Sequence, residues 1–151
     1  MPVSTPTPYA VLADLTLYGA PASAFTNVTT AQQNAALDAA NALADGYLGQ
    51  KFTLPITTWG KDLVKQIVAI ATYDAIVVRG ANPEAPGNVN LQNRWDAAIQ
   101  WFRDIAAGKV TPQVVDSSVN GQQGPDFVRS LKTDKTTANF TSVKAASGRG
   151  W

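Results

Sequence analysis

The sequence predicts an all-α protein: a small helical bundle of three long helices plus a short N-terminal helix, with an extended C-terminal arm. Two observations lead to this prediction. Apolar residues recur at helical spacing in three long segments between residues 29 and 108, and glycine or proline follows each segment. Beyond residue 112 the periodicity stops, so we divide the chain into a helical bundle domain at 1–112 and an extended arm at 113–151.

The composition removes most routes to catalysis. The chain of 151 residues has no cysteine and no histidine, which excludes disulfides, thiolate metal sites and the Ser/His and Cys/His catalytic pairs. We therefore expect no cofactor, no metal and no enzyme, although an enzyme that uses only carboxylates is an open alternative. No apolar run approaches the roughly 20 residues that span a bilayer, and residues 1–12 do not resemble a signal peptide. We expect a cytoplasmic protein without membrane contact.

The N-terminal part is read as one short helix and a loop. Residues 9–18 are apolar at most positions, and Gly19 and Pro21 follow them. This pattern favours a helix, with a strand as the alternative. Residues 20–28 are predicted to form a loop in which Phe25 points inward, toward the first long helix.

The first long helix is predicted to begin with a cap. Thr29 or Thr30 can accept a backbone N–H, and Gln32 or Gln33 is the reciprocal partner three residues on. The apolar face is formed by Ala36, Leu37, Ala40, Leu43, Ala44, Tyr47 and Leu48. The opposite face is predicted to carry Asn34, Asp38, Asn41 and Asp45. The many alanines allow another helix to approach closely.

The second long helix, predicted over 60–79, is apolar on almost every side. Such a pattern is typical of the central helix of a bundle. Asp74 lies among these apolar residues. A carboxylate at the solvent edge, or one paired with an arginine, is the ordinary explanation, and we favour it over a catalytic role.

The third long helix is predicted to begin at Asn88 or Asn90 as its cap and to end at Gly108. Its apolar stripe consists of Leu91, Trp95, Ala98, Phe102 and Ile105. Trp101 lies beside the stripe and is either a partly covered core residue or an anchor at an interface. Across the three helices and the segment after the first, the predicted core includes Tyr47, Leu48, Phe52, Ile67, Ile70, Trp95, Phe102 and Ile105.

The predicted arm differs from the bundle in charge. The net charge of the chain is +1, but residues 127–151 carry +4 and the other 126 residues carry −3. Scattered apolar residues accompany the basic ones, so we predict that the arm docks on a partner. The residues predicted to bind it are Phe127, Arg129, Leu131, Phe140, Lys144, Arg149 and Trp151. The residues alone indicate a structural or interaction protein.

Four motifs, in order along the chain, resemble a known family. They are the opening at 9–19, the knot Tyr47-Leu48 with Lys51-Phe52 and Leu54-Pro55, the Arg94-Trp95 segment with its ending at 105–110, and the Phe-Thr-Ser ending at 140–148. They are similar to those of the Mu-like head–tail connector, or adaptor (head-completion), proteins of tailed bacteriophages. The resemblance covers residues 9–112 and, more loosely, the arm.

The resemblance implies a structural virion protein that forms a ring, commonly of twelve copies, beneath the portal. There it would extend the DNA channel and dock the tail, while DNA passes without specific binding. Its partners would be the portal protein, which the arm would bind, tail or neck proteins, and further copies of itself. Its place would be the head–tail interface of the virion, and the host cytoplasm during assembly.

Two other functions are open at this point. One is a tail-completion or tail-terminator protein, a ring-forming class that tends toward mixed α/β folds. The other is a packaging accessory protein that binds nucleic acid through the basic arm.

Overall fold

The computed structural model describes residues 8–80 and 86–117, which fold as a helical bundle with one small sheet. In chain order the elements are α1 (Leu12–Asp14), a π-helical turn (Leu15–Gly19), a 3₁₀ turn (Ala22–Phe25), α2 (Thr30–Leu48), β1 (Ile56–Trp59), α3 (Lys61–Val78), α4 (Pro86–Ala106) and β2 (Val114–Asp116). The predicted small helical bundle is confirmed. Residues 1–7, and the predicted arm from residue 118 onward, lie outside the described residues.

The N-terminal segment is helical, as the sequence pattern of residues 9–18 predicted, and is not a strand. α1 and the π-helical turn form one continuous stretch that packs on α3. Gly19 approaches α3 so closely that an added Cβ would overlap the Thr72 hydroxyl, so only glycine fits there. The predicted loop at 20–28 contains the 3₁₀ turn, and Phe25 within it is buried.

The cap of α2 uses the first of the two predicted pairs. The Thr29 hydroxyl accepts from the Gln32 backbone N–H at 3.2 Å, and the Gln32 side chain accepts from the Thr29 N–H at 2.9 Å. This reciprocal arrangement satisfies two donors that the first turn of a helix leaves unpaired.

Replacing Thr29 with alanine is expected to lower the free energy of unfolding by about 1 kcal/mol, because the Gln32 N–H loses its acceptor. Chemical denaturation followed by circular dichroism measures the loss. Thr30→Ala is the matched control, since Thr30 is an exposed residue of the same turn outside the capping box. Equal losses in the two variants would contradict the assigned cap.

α3 is the central helix of the bundle. It packs against α2 on one side, α4 on another and the N-terminal helical stretch on a third. Burial on several sides explains the all-round apolarity of its sequence. Its fully buried residues include Leu63, Ile67, Val68, Ile70 and Ala71.

α4 begins earlier than predicted. The expected caps, Asn88 and Asn90, lie inside the helix, which starts at Pro86. Proline suits the first helical position because its φ is already helical and its missing N–H has no partner there. The end is as predicted: Gly108 has φ +76°, a conformation that favours glycine, and its N–H donates to the Ile105 carbonyl at 2.9 Å.

Two residues predicted on the outer face of α2 lie against the N-terminal segment instead. Asn41 is buried, and its amide accepts from the Ala10 N–H and donates to the Ala10 carbonyl, both at 3.2 Å. Asp45 accepts a hydrogen bond from the Tyr9 hydroxyl. The outward assignment was wrong because this side of α2 is covered by chain that is distant in sequence.

β1 and β2 form a two-stranded antiparallel sheet that the sequence did not predict. Ile56 lies opposite Asp116, and Trp59 lies opposite Val114, with an irregularity between them. β2 begins two residues beyond the division at 112. The domain division itself stays a prediction, because most of the proposed arm lies outside the described residues.

Candidate partner-binding surfaces

The predicted core residues lie in one cluster that supports the surfaces described below. Leu48, Ile67, Ile70, Phe102 and Ile105 are buried. The remaining three are half-buried and pack against the cluster: Tyr47, Phe52 and Trp95.

Aromatic contacts connect the helices around this cluster. The Tyr47 ring of α2 stacks on Phe102 of α4, with centroids 5.8 Å apart. Trp101, the residue beside the α4 stripe, is half-buried and meets Phe102 edge-on at 5.2 Å. Trp101 is therefore at least in part a packing residue.

The N-terminal segment is fixed to the bundle at its first residues. The Trp59 indole N–H donates to the Tyr9 carbonyl at 3.1 Å, and the two rings meet edge-on with centroids 5.0 Å apart. Burial, followed by the hydrogen bond to Asp45, raises the pKa of the Tyr9 hydroxyl well above its usual range. Tyr9 therefore remains a neutral hydrogen-bond donor.

The helical stretch that follows, together with Val11 at its N-cap, exposes three apolar side chains. Leu17 is 68% exposed, and Val11 and Leu12 are also exposed. We call these three residues the N-terminal patch. They lie on a well-held scaffold, because Arg94 of α4 donates to the carbonyls of Tyr18 and Gly19 at 2.7 and 2.9 Å.

A positive charge accompanies this patch. The Lys65 ammonium lies over the ring of Tyr18, 5.8 Å from its centroid, and Tyr18 directly follows Leu17 in the chain. Lys65 itself is exposed. The N-terminal helical stretch thus presents an exposed apolar side chain at Leu17 and, over the ring of the next residue, the ammonium of Lys65.

A second apolar surface lies between α2 and α3. It is a shallow cavity of about 300 Å³, which we call the α2–α3 groove, and its lining is Gln32, Ala35, Ala36, Ala39, Asp74 and Val78. Val78, at its edge, is 62% exposed, and the neighbouring Val77 is exposed as well. The small alanine side chains of α2 leave this space open, because they cover little of the facing helix.

Among the described residues that line the groove, Asp74 is the only charged one. It has no hydrogen bond or ion pair within the part of the chain that the structure describes, where the one salt bridge joins Lys109 to Asp104. Half-burial raises the pKa of the Asp74 carboxyl above its usual value. Two ordinary explanations were considered for the Asp74 carboxylate, a position at the solvent edge and a pairing with an arginine. Within residues 8–80 and 86–117 the carboxylate lies at the solvent edge, and no arginine pairs with it.

Replacing Asp74 with asparagine is expected to raise the Tm at pH 7. The raised pKa means that the folded protein binds a proton more readily than the unfolded chain, so the charged side chain costs stability at neutral pH. This cost disappears as the pH falls through the folded-state pKa, and at about pH 3 the two proteins should melt alike.

Thermal melts across the pH range provide the measurement. Asp38→Asn, at an exposed position of α2, controls for the loss of a surface carboxylate. A Tm of Asp74→Asn below that of the parent at pH 7 would show that Asp74 stabilises the fold.

The third surface is the sheet, which holds the end of the described chain. The Asp116 carboxylate accepts from the Thr53 N–H at 2.9 Å, and the Ser117 N–H donates to the Thr53 carbonyl at 3.2 Å. A neighbouring hollow of about 340 Å³ is lined by Thr58, Trp59, Gly60, Gln113, Val114 and Val115. Residues 118–151 therefore follow directly from an anchored strand.

The predicted partner-binding residues of the arm lie outside the described residues. They are Phe127, Arg129, Leu131, Phe140, Lys144, Arg149 and Trp151. The three surfaces themselves were not predicted as such. The apolar run at 9–18 and the density of alanine in α2 were the available signals, but neither says which side chains remain exposed.

Among residues 8–80 and 86–117 there is no group of three or more acidic side chains placed to hold a metal ion. Nor does that part of the chain contain a helix of the length and apolarity required to cross a bilayer.

Comparison with known proteins places the chain in a family. No curated protein matches it. A family model described as bacteriophage Mu, Gp36 matches residues 9–130, a stretch that contains every helix and strand of the structure. Because this match spans far more than half of the sequence, the chain belongs to the bacteriophage Mu Gp36 family and is a Mu-like phage virion protein.

Proposed function

We propose that the protein is a head–tail adaptor, which assembles as a ring beneath the portal, extends the DNA channel and docks the tail. The observation that carries this proposal is the family match over residues 9–130, which agrees with the order of motifs along the same stretch. The role is structural, and it requires no catalytic residue, metal or cofactor. The protein would act in the virion at the head–tail interface, after assembly in the host cytoplasm.

The anchored end of β2 supports a gripping arm. Hydrogen bonds with the backbone of Thr53 hold Asp116 and Ser117, so the segment that follows starts from a defined point on the bundle. An extended segment can add contact area to a small globule, with main-chain bonds and pocketed side chains. In this proposal the aromatic and basic residues of 127–151 bind the portal.

Two unlike exposed surfaces support ring formation. A closed ring needs a heterologous interface, in which one face of each subunit meets a different face of the next. The N-terminal patch and the α2–α3 groove provide such a pair of faces.

In such a ring many arms bind the portal at the same time. A weak contact by each single arm is then sufficient, because the effective concentration of the other arms is high.

The charge distribution suits the passage of DNA. Outside residues 127–151 the chain carries −3, so the body of each subunit is mildly acidic. A channel lined by basic residues would retain phosphate groups, whereas an acidic body does not. In the proposed ring, DNA passes without specific binding.

Sedimentation with isolated components tests the proposal. Full-length protein, and protein truncated after Gly124, are each mixed with the portal ring of the same phage and, separately, with its tail tubes. We expect only the full-length chain to co-sediment with the portal. Both proteins are checked by circular dichroism, so that a loss of binding is not a loss of fold. Binding of the full-length chain to tail tubes and not to portals would instead indicate a tail-completion or terminator protein.

The charge of +4 on residues 127–151 supports a second candidate function, a packaging accessory protein that binds nucleic acid. That function predicts DNA binding whose affinity falls steeply with salt. The logarithm of the association constant should fall with the logarithm of the salt concentration with a slope of roughly −4. Gel shifts across a salt series, with the same truncation as control, separate it from the adaptor function. The adaptor function predicts that affinity for DNA is weak at physiological salt.

A further inference from the structure

The two apolar surfaces lie on opposite sides of the central helix. Lys65, beside the N-terminal patch, and Asp74, in the α2–α3 groove, are nine residues apart on α3. At 3.6 residues per turn, this spacing rotates one side chain from the other by about half a turn. Within one copy, therefore, the patch cannot reach the groove.

The surfaces are complementary in chemistry. One side exposes Leu17, and the residue after it in the chain, Tyr18, holds the Lys65 ammonium over its ring. The other side is an apolar cavity that contains the carboxylate of Asp74, which has no partner in the described part of the chain. A surface that offers an exposed apolar side chain and a cation is complementary to an apolar cavity that is lined by an anion.

We propose that Leu17 of one copy enters the α2–α3 groove of the next copy, and that Lys65 pairs there with Asp74. This contact is the subunit interface of the ring, so the inference rests on the proposed adaptor function and names the surfaces that build it. Because donor and acceptor surfaces differ and lie on opposite sides of each subunit, the contact is heterologous and continues from copy to copy.

The groove suits a second copy for two further reasons. Its α2 wall consists of Gln32 and three alanines, of which Ala35 and Ala39 are exposed, so a neighbouring chain can come close to the helix. The exposed Val77 and Val78 at the end of α3 widen the apolar area beyond the cavity itself. Pairing with Lys65 would also offset the cost of half-burying the Asp74 charge.

Charge reversal provides the first test. Lys65→Glu and Asp74→Lys each place like charges across the proposed contact. Without the other variant, each should therefore assemble about tenfold more weakly or not at all, both in solution and on portal rings. An equimolar mixture of the two variants should assemble, because in an alternating ring every interface again pairs a residue 65 and a residue 74 of opposite charge. Arg103→Glu, at an exposed position of α4, is the control for a reversed surface charge and should assemble normally.

Disulfide trapping provides the second test and does not depend on charge reversal being tolerated. The chain has no cysteine, so introduced thiols react without background. Protein that carries both Leu17→Cys and Ala39→Cys should give a ladder of covalent multimers on oxidation, whereas a mixture of the two single variants should stop at dimers. Val89→Cys with Ala39→Cys is the matched control, since Val89 is an exposed apolar residue of α4 outside both surfaces.

The outcomes separate this inference from the proposed function. If a ring forms on the portal but the 17–39 pair gives no ladder and the mixed charge variants do not rescue assembly, the surfaces are wrong and the adaptor function stands. If the chain neither assembles alone nor binds the portal, both are overturned. A single dimer band from the double-cysteine protein would indicate a closed twofold pair and would also overturn the ring interface.

Discussion

Phe102→Ala is expected to lower the free energy of unfolding by about 3 to 5 kcal/mol, the largest loss that we predict for a single substitution. The Phe102 side chain is completely buried on α4. Its ring stacks on Tyr47 of α2 and meets Trp101 edge-on, so truncation removes aromatic contacts as well as apolar burial. A loss of this size is a large fraction of the total stability of about 5 to 15 kcal/mol that domains have.

Urea denaturation, followed by tryptophan fluorescence and by circular dichroism, measures this loss. Val89→Ala is the matched control, because Val89 is an exposed apolar residue of the same helix. We expect the control to stay within about 0.5 kcal/mol of the parent. A Phe102→Ala loss below about 1 kcal/mol would show that α2 and α4 do not pack around this ring.

Asn41→Ala has the second-largest expected effect, a loss of about 2 to 3 kcal/mol. The buried Asn41 amide is the partner of both the N–H and the carbonyl of Ala10. Alanine leaves both backbone groups without these bonds, and an unsatisfied buried polar group costs more than a lost surface contact. The effect should concentrate in the N-terminal segment, which this amide holds against α2.

Hydrogen exchange read out by mass spectrometry localises the effect, and denaturation gives its size. We expect faster exchange in the peptide that covers 9–19. Exchange in α3 should increase only as much as the lower global stability of the variant requires. Asn34→Ala is the control, because Asn34 is exposed on the same helix. Unchanged exchange at 9–19 would contradict the assigned role of Asn41.

The long helices could be predicted from the sequence because their signals are local. The Thr29–Gln32 cap, the stripe of α4 and the all-round apolarity of α3 each depend on residues close together in the chain. The start of α4 was placed too late for the same reason: asparagine is a good cap, but Pro86 allows an earlier start.

Non-local contacts account for what was missed. In the sequence Asn41 has the pattern of an outward polar residue. Only the structure shows that its amide is hydrogen-bonded to Ala10, 31 positions away. Likewise, the partners of β1 lie about sixty residues along the chain, and each strand is too short to show alternation. Pairing across such distances leaves little trace in a local pattern.

The candidate surfaces were the least predictable part. Alanines in α2 indicate close helix packing, but only the packed bundle shows that Ala35 and Ala39 remain exposed beside Asp74. Leu17 lies in an apolar run in which the buried and exposed positions alternate irregularly, because the helix there changes to a π-helical turn. The arm residues stay a prediction from composition and resemblance alone.

Electron microscopy of portal rings mixed with an excess of the full-length chain tests the central claim most directly. The adaptor function predicts an added ring of density on the face of the portal that meets the tail. It also predicts one copy of the chain for each portal subunit by native mass. Bare portals at saturating concentrations of folded full-length protein would contradict it.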